Sequence, residues 1–451
     1  MWYYVFGRMR GMDLIYLLSL KISGIKNIEK PVSFRFYNKT IKEDFDPERF
    51  KVKAIYGENG SGKTAVITGV KLLKNIISNA NYLSDRDTQQ LLFNLVNKKE
   101  KKGEIEVEFY SNIGETNHIV RYKIAFEIGE DSGFVLTEEK LEHKNGNYSK
   151  NKYVLDYEVK NGELIYYRGN SEDYNLYKEK TKNLLFKQAF VSSLKPIVRE
   201  KRGGDSDTAI EYAVEVMIFN YLLFVWIDDS DNHNEYFMKK ELSYSYEQED
   251  IAQIIELSGK IINNRDNKIL VRQSAFDLYK KDIERMCSFI QIFKSDLRDI
   301  EIEKKIDGNY YSCNLVMVYD DYSLDSEFES RGVRKLMDLF DVLDGACDGQ
   351  IVFIDELDSN INDVYLGKII EFFMKYGKGQ LCFTAHNLSP MSVVKNNKNS
   401  IDFISSINTV HSWAKHGNLT PESAYQKGFI EDSPFNVEAT DFLGILGGDN
   451  E

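Results

Sequence analysis

The feature that most restricts the fold of this chain is the glycine-rich string GENGSGKT, Gly57–Thr64. It matches the pattern G-x-x-x-x-G-K-[ST] at every fixed position. The preceding string RFKVKAIY alternates and then becomes apolar, which is typical of a strand entering the centre of a sheet. Apolar residues then recur at helical spacing, at Val66, Ile67, Val70, Leu73 and Ile77. Strand, loop and helix in this order predict an α/β core with a phosphate site at a helix N-terminus.

Within this phosphate loop, the glycines let backbone N–H groups approach and surround phosphate oxygens. Lys63 is predicted to reach the β- and γ-phosphates, and the hydroxyl of Thr64 to take a coordination position on Mg²⁺. A chance match in a glycine-rich loop would not have a strand and a helix on its two sides. The predicted nucleotide-binding residues here are Gly57, Glu58, Asn59, Gly60, Ser61, Gly62, Lys63 and Thr64.

A second site follows the apolar run IVFI and consists of Asp355 and Glu356. Ligands of open α/β sheets bind outside the carboxyl ends of the strands, where these two acids are expected. Asp355 is predicted to hold Mg²⁺, and Glu356 to orient or deprotonate the attacking water. An apolar strand that ends in two acids is common, so the prediction depends on its combination with the phosphate loop.

Three further segments accompany these two. The segment LDSNIN, Leu357–Asn362, directly follows the acids, and TAHN places His386 at the end of another apolar strand. Before the acids, the segment ESRGVRK places Ser330 and Gly332 at the start of a helix, where anions bind. Taken singly, Ser330 is consistent with a simple helix N-cap, and His386 is better explained as a core histidine.

The order of these segments resembles that of an ABC-type ATPase: phosphate loop, signature, acidic strand, D-loop and switch histidine. The motifs ES-x-G, IDELDS and TAHN resemble those of stand-alone bacterial ATPases labelled AAA-type, which are similar to SMC and OLD-family heads. Arg331 stands where the transporter signature L-S-G-G-Q has its first glycine. The resemblance covers most of the chain and implies an ABC-type ATPase head with a P-loop core sheet, an antiparallel β-meander and a helical insertion.

The resemblance also implies site roles and cofactors. ATP and Mg²⁺ would be held between two copies of the chain, with Ser330, Gly332 and Asp358 contributing to nucleotide binding. Glu356 and His386 would be catalytic, and Thr64, Asp355 and a glutamine would contact Mg²⁺. Gln89 and Gln90 both lie in the region expected for that glutamine, and Gln90 is the candidate, although a solvated helix face would produce the same pair.

Proteins of this kind are frequent in anti-phage defence loci, beside a toxic effector. The ending GFIEDSPFNVEATDFL resembles, more weakly, the ATPase subunit of PARIS-like systems, whose partner is a TOPRIM-type nuclease. No TOPRIM-like or HNH arrangement of acids and histidines is found in this sequence, so a separately encoded effector is expected to cut nucleic acid. The resemblance is compatible with a nucleic acid or a phage protein as the trigger.

The sequence predicts four regions. Residues 1–183 form an N-terminal ATPase lobe with the phosphate loop and a meander, whose strand-like runs are IEVEFY, RYKIAFEI, KYVLDYEV and ELIYYR. Residues 184–312 form a helical insertion, and 313–420 a C-terminal lobe with the signature, acidic strand, D-loop and switch histidine. Residues 421–451 form a tail. A hairpin is expected at 14–37, broken at Gly24 and Pro31.

Net charge, cysteine spacing and the apolar runs argue against a non-specific nucleic-acid binder, a zinc or disulfide framework and a membrane protein. The net charge of −13 argues against a surface coated for non-specific nucleic-acid binding. The four cysteines have no C-x-x-C spacing, which favours a reducing cytoplasm over a zinc or disulfide framework. The start of the chain is apolar but is interrupted by Arg8 and Arg10, and Met12 is a possible natural start. The apolar run at 213–227 is too short to cross a bilayer and predicts a buried helix.

The motif set, with no effector or membrane domain in the sequence, favours an ATPase that binds and hydrolyses ATP between two copies and regulates a partner toxic effector in anti-phage defence. Three alternative functions fit the sequence less well. An SMC-like DNA-binding or repair head would need a long coiled-coil arm, and no sustained heptads occur. A transporter subunit conflicts with the signature departure and the insertion. A P-loop kinase leaves ESRG and TAHN unexplained.

Overall fold

The computed structural model describes residues 14–37, 45–113, 117–129, 133–146, 151–200, 208–227, 269–397, 399–414 and 419–433. The predictions for the first thirteen residues, including Met12, and for the chain beyond residue 433 lie outside the described residues. Three sheets and the helices around them make up the described part, which confirms the predicted α/β class.

The first sheet is the antiparallel meander, in the order β2-β1-β4-β5-β6-β7-β8. Its strands are β1 (Ile15–Ser23), β2 (Val32–Arg35), β4 (Lys102–Ser111), β5 (His118–Gly129), β6 (Gly133–Asn145), β7 (Val154–Lys160) and β8 (Glu163–Tyr167). The hairpin expected at 14–37 is β1 paired with β2, and the four predicted meander strands are present.

Strand β6 is the meander strand that the sequence pattern does not predict. Two of its inward-facing positions are polar, Glu139 and His143, so its apolar alternation is broken. The buried carboxylate of Glu139 accepts hydrogen bonds from the hydroxyl groups of Tyr122 and Tyr157, at 3.0 and 2.7 Å. A buried carboxylate is tolerated only with such partners. The tertiary structure supplies them, and the local sequence does not reveal them.

The second sheet has the order β17-β16-β3-β15-β14-β9 and is parallel from β16 to β9. Its strands are β3 (Val52–Tyr56), β9 (Leu223–Trp226), β14 (Ile351–Ile354), β15 (Gln380–Thr384), β16 (Ile401–Ile404) and β17 (Val410–Ser412). Strands β3, β14 and β15 are the three apolar strands that the motifs predict.

This core sheet is covered on both faces. Ile351 and Phe353 of β14 belong to the hydrophobic cluster shared with the meander, whereas Val352 and Ile354 belong to the cluster on the opposite face. Neighbouring side chains of a strand point to opposite faces, so an uninterrupted apolar run is required here.

Eleven α-helices lie in the described residues. They are α1 (Lys63–Ser78), α2 (Arg86–Leu95), α3 (Ser171–Lys180), α4 (Phe190–Ser193), α5 (Lys195–Glu200), α6 (Thr208–Leu222), α7 (Phe276–Gln291), α8 (Arg331–Cys347), α9 (Asp363–Tyr376), α10 (Ser389–Val394) and α11 (Pro421–Gln426). Helices α1 and α6 contribute buried residues to the meander-side cluster, and α8, α9 and α10 to the other. None of the described helices is both long and apolar enough to cross a membrane.

The predicted buried helix at 213–227 is correct only in part. Helix α6 ends at Leu222, and Leu223–Trp226 continue as β9, paired in parallel with β14. A continuous apolar run has no period that separates a buried helix from a buried strand. Leu223–Trp226 form a strand because they pair with the edge of β14 that β15 does not occupy. This pairing places Trp226 beside Ile354.

The predicted helical insertion at 184–312 contains helices α4 to α7, and its residues 201–207 and 228–268 lie outside the described residues. The prediction of helix is wrong for Ile269–Arg272 and for Leu297–Asp307. The latter residues form β11 of a third, antiparallel sheet, with β10 (Ile269–Arg272), β12 (Tyr310–Tyr319) and β13 (Ser323–Asp325). Strand β12, at the start of the predicted C-terminal lobe, pairs antiparallel with β11 and lies outside the parallel core sheet. Its buried side chains pack with α7 and α8, so this sheet carries the segment that precedes α8.

Candidate functional site

The predicted site segments meet at one edge of the core sheet. Strands β3, β15 and β14 are adjacent and parallel, so their carboxyl ends lie side by side. The phosphate loop follows β3, His386 follows β15, and Asp355 and Glu356 follow β14. The structure therefore brings together residues separated by more than 300 positions, in the crevice where ligands of such sheets bind.

The phosphate loop has the backbone that its glycines permit. Gly60 and Gly62 have φ angles of 81° and 112°, which side chains with a Cβ rarely adopt. A Cβ on Gly57 would lie 2.4 Å from the carbonyl oxygen of Ile404, so this position admits no side chain. Helix α1 begins at Lys63, directly after the loop. The loop is thus a cradle of backbone N–H groups at the start of a sixteen-residue helix.

Lys63 lies inside this cradle. Its ammonium group donates hydrogen bonds to the carbonyl oxygens of Gly57 and Glu58, at 2.8 and 3.1 Å. Burial lowers the pKa of Lys63, while the nearby carboxylates of Asp355, Glu356 and Asp358 act in the opposite direction. A cation that is partly desolvated beside acids is well placed for an anionic ligand.

The residues present fit a nucleotide with a divalent cation. The side-chain oxygen of Ser61 is buried and has no hydrogen-bond partner among the described residues. In the same part of the chain, the hydroxyl of Thr64 and the Oδ2 atom of Asp355 take part in no hydrogen bond. Hydroxyl and carboxylate oxygens are the ligands that Mg²⁺ prefers. The cradle therefore offers donors for phosphate and oxygen ligands for a cation.

Thr384, the last residue of β15, joins the two acids. Its hydroxyl donates to Asp355 Oδ1 at 2.5 Å and accepts from the backbone N–H of Glu356 at 2.8 Å. Thr384 is fully buried. Thr384 is not among the predicted site residues, although its position at a strand end, before Ala385 and His386, was a usable signal.

We expect Thr384→Val to destabilise the protein by about 1–3 kcal/mol. The substitution preserves shape but leaves the buried Asp355 carboxylate and the Glu356 N–H short of a partner. Denaturant unfolding of the variant measures the effect. Thr384→Ser retains the hydroxyl and should lose much less stability. Equal losses of stability in both variants would contradict the bridging role.

Glu356 and His386 face each other across the strand ends. His386 Nε2 lies 3.8 Å from Glu356 Oε1, and both side chains are about half exposed, at 48% and 53%. Glu356 has a φ of 49°, a left-handed conformation that is unusual for a residue with a side chain. Such strain is commonly found at functional sites, where the surrounding structure imposes it. Both groups are accessible to a substrate bound at the loop.

Asp358 holds the segment that carries His386. Its Oδ2 atom accepts hydrogen bonds from the backbone N–H groups of His386 and Asn387, at 2.9 and 2.6 Å. Its Oδ1 atom is buried with no partner among the described residues, as is the hydroxyl of Tyr56. Burial, followed by the charge of Asp358, raises the pKa of Tyr56 well above its ordinary value. Asp358 therefore stabilises, within its own chain, the position of the segment that carries His386.

The signature segment, Glu329–Lys335, begins α8. Ser330 is the N-cap, and its hydroxyl accepts from the N–H of Val333 at 3.3 Å. The carboxylate of the buried Glu329 accepts from the Ser330 N–H at 3.1 Å and from the Tyr319 hydroxyl. In the described part of the chain, no hydrogen bond or ion pair connects Ser330 or Gly332 to the phosphate loop.

Gln89 and Gln90 lie on α2 and differ in environment. The Gln89 amide bonds to the backbone of Leu83 and Phe134, with Nε2···O distances of 2.5 and 3.2 Å and a Phe134 N···Oε1 distance of 2.9 Å. Gln89 is thus a structural residue that fastens α2 to β6. Gln90 is exposed, and within the described residues it makes no hydrogen bond to the loop. Its role as a Mg²⁺ contact stays a prediction.

Two further contacts to the site had no sequence signal. The side-chain amide of Asn27 donates to the carbonyl oxygen of Gly60 and so supports the loop from the β1–β2 connection. The ammonium group of Lys335 donates to the Ser359 hydroxyl at 3.1 Å. Both contacts join segments far apart in sequence, so only the folded chain reveals them.

Comparison with known proteins agrees with this geometry. Residues 52–391 match the model of a family described as an AAA domain, putative AbiEii toxin, Type IV TA system. The match spans β3, the phosphate loop, the signature segment, both acids and His386. The chain belongs to this AAA domain family. No curated protein matches the chain. The AAA domain implies nucleotide binding and, in general, ATP hydrolysis, and the matched residues include the cradle at Gly57–Thr64.

Proposed function

We propose that this AAA domain protein is an ABC-type, Mg²⁺-dependent ATPase that shares its nucleotide between two copies and regulates a separately encoded toxic effector. One observation supports a nucleotide site that is shared between two copies of the chain. Ser330 is exposed at the start of α8 and makes no contact with its own phosphate loop in the described residues. Yet a helix N-terminus with a serine cap is suited to bind an anion. A second copy would supply that anion.

The roles of the residues follow from their positions. The loop N–H groups and Lys63 hold the phosphates, and Thr64 and Asp355 would hold Mg²⁺ with an oxygen from each. When bound, the cation neutralises charge on the β- and γ-phosphate oxygens. Glu356 accepts the proton of the attacking water, and His386, 3.8 Å from the Glu356 carboxylate, lies where the γ-phosphate is expected.

A mixing experiment tests whether the site is shared. Lys63→Ala removes the phosphate contact, and Ser330→Asp retains a preferred N-cap residue but repels phosphate. Each variant alone is expected to be nearly inactive. Mixed dimers contain one composite site with Lys63 and Ser330 both intact, so an equimolar mixture should regain up to about a quarter of the wild-type phosphate release, given random pairing of copies.

The controls separate folding from site sharing. Ser330→Thr retains both hydroxyl and cap and should be close to wild type. Full activity of Ser330→Asp alone would show that Ser330 does not contact nucleotide. Inactive mixtures of two folded variants would overturn the composite site.

The family description names a putative AbiEii toxin and a Type IV TA system, so it is consistent with a role in a toxic multi-component system. The chain itself offers an ATPase site but no nuclease motif in its sequence. The partner we propose is a toxic effector such as a TOPRIM-type nuclease, held in check until a phage-derived trigger is sensed. Co-expression with the neighbouring gene product tests this, and an effector that is equally toxic with and without the ATPase would refute it.

An SMC-like DNA-binding head is the second candidate. It is favoured by four exposed lysines close to Lys26: Lys98, Lys99 and Lys101 in the loop between α2 and β4, and Lys102 at the start of β4. This function requires duplex affinity that falls steeply with salt and is lost in Lys101→Glu/Lys102→Glu. Absence of such binding leaves the regulatory ATPase as the better description.

A further inference from the structure

A buried lysine in α8 connects the signature segment to the catalytic strand end. Lys335 is 4% exposed, although it carries an ammonium group. Its Nζ atom lies 3.4 Å from the centroid of the Trp226 ring. It also donates to the Ser359 hydroxyl at 3.1 Å and to the Glu356 carbonyl oxygen at 3.4 Å. The end of β9, at Trp226, and the segment after β14, at Glu356 and Ser359, therefore converge on one cation.

Burying this charge has an energetic cost that an apolar residue would avoid. The aromatic face and the two oxygen acceptors offset part of this cost, since a desolvated cation is attracted to the face of an indole ring. Apolar neighbours such as Val333 and Leu336 pack into the core beside α7. An apolar residue at this position would pack equally well. We therefore attribute the charge of Lys335 to its contacts with Trp226, Ser359 and the Glu356 carbonyl.

Ser359 belongs to the D-loop, Leu357–Asn362, and Glu356 is the acid before it. Glu356 and Asn360 both have left-handed backbones, with φ angles of 49° and 60°. A Cβ on Gly332 would lie 3.2 Å from the carbonyl oxygen of Asn360, so the start of α8 packs closely on the D-loop. Because contacts at Gly332 and Lys335 both join α8 to this segment, a displacement of the helix is transmitted to Glu356.

Trp226 extends the connection to the metal-binding acid. The Trp226 carbonyl oxygen accepts from the N–H of Asp355 at 2.9 Å. The indole Nε1 atom is buried and has no hydrogen-bond partner among the described residues. The ring is therefore held by packing and by the Lys335 ammonium group, and its emission reports on that contact.

We propose that Lys335 is a positioning residue that couples the two nucleotide sites of the dimer. The inference rests on the proposed function, in which Ser330 contacts the partner's nucleotide while Glu356 acts on its own. Lys335 lies five residues after Ser330 on the same helix and bonds to the Glu356 carbonyl. Contact of Ser330 with a γ-phosphate would thus shift Glu356 and Asp355 of the same chain, and ATP at one site would promote hydrolysis at the other.

The spectroscopic test uses the full chain with Trp2 and Trp413 changed to Phe, so that Trp226 is the single tryptophan. Addition of ATP should shift its emission, and Lys335→Met should abolish the shift. Lys335→Arg retains a cation with hydrogen-bond donors and should preserve the ATP-dependent emission shift. The matched control is Lys74→Met, which removes another buried lysine, over the Phe224 ring of the same strand at 5.6 Å. That control should retain the ATP-dependent shift even if it lowers the Tm.

The kinetic test measures the Hill coefficient of ATP hydrolysis. We expect a value approaching about 2 in the wild type, the limit for two sites, and a value near 1 in Lys335→Met. An unchanged Hill coefficient together with an unchanged Trp226 response in a folded Lys335→Met variant would overturn the coupling. If that variant does not fold, the Hill coefficient and the Trp226 emission shift are measured in Lys335→Gln instead.

Size-exclusion chromatography with ATP separates the two hypotheses. A wild-type chain that forms no ATP-dependent dimer refutes the proposed function, and the coupling with it. A normal ATP-dependent dimer with no effect of Lys335→Met on either readout refutes the coupling alone.

Discussion

Glu356→Gln should reduce ATP turnover by about 10²–10⁴-fold, the contribution typical of a general base. The amide preserves the size of the side chain and its position 3.8 Å from His386, but it cannot accept a proton. ATP binding should persist, because Lys63 and the loop backbone are unchanged. The variant should therefore accumulate as an ATP-bound dimer.

Two measurements check this expectation. Phosphate release gives the loss of turnover, and size-exclusion chromatography with ATP and Mg²⁺ gives the dimer. Glu371→Gln is the matched control, because Glu371 is exposed on α9 and pairs only with the exposed Lys368 among the described residues. Turnover at the wild-type rate in Glu356→Gln would remove Glu356 from the role of general base.

Lys63→Ala should weaken ATP binding by at least about thirty-fold. Removing one partner of a buried, hydrogen-bonded charge pair costs about 2–5 kcal/mol, and the phosphates would lose their one buried cation from this loop. In the structure the ammonium group already lies between the Gly57 and Glu58 carbonyl oxygens, directed into the cradle. Little reorganisation is then needed when phosphate binds.

Isothermal titration with ATP measures this loss. Lys71→Ala, two turns further along α1, is the matched control and should bind ATP with nearly wild-type affinity. An unchanged affinity in Lys63→Ala would show that the cradle holds phosphate through its backbone alone. An equal loss in both variants would indicate damage to the helix rather than to the site.

The site segments were predictable because each has a strong local signature. GENGSGKT carries glycines that its backbone needs, and IVFIDE shows an apolar run followed by acids. The order of ESRG, IDE and TAHN along the chain indicated an ATPase, and the family match confirms an AAA domain. The shared dimer site, the Mg²⁺ contacts and the effector partner stay proposals.

Other features had no local signature. Strand β6 was missed because the buried Glu139 depends on hydroxyl groups from two other strands. The end of α6 was misplaced because an apolar run does not distinguish a helix from a buried strand. The run at Leu297–Asp307 became a strand because β12 lies beside it.

By itself, the sequence determined the phosphate loop, the strand that delivers Asp355 and Glu356, and the class of fold, because glycine geometry and apolar periodicity act within a few residues. Only the tertiary structure decided that β9 borders β14, that Thr384 bridges the acids, and that Lys335 lies against Trp226. These contacts join residues between 28 and 128 positions apart, counting Thr384 from Glu356 and Ile354 from Trp226. Buried polar groups take whichever partners the packed chain brings within hydrogen-bonding distance, and no short pattern encodes that choice.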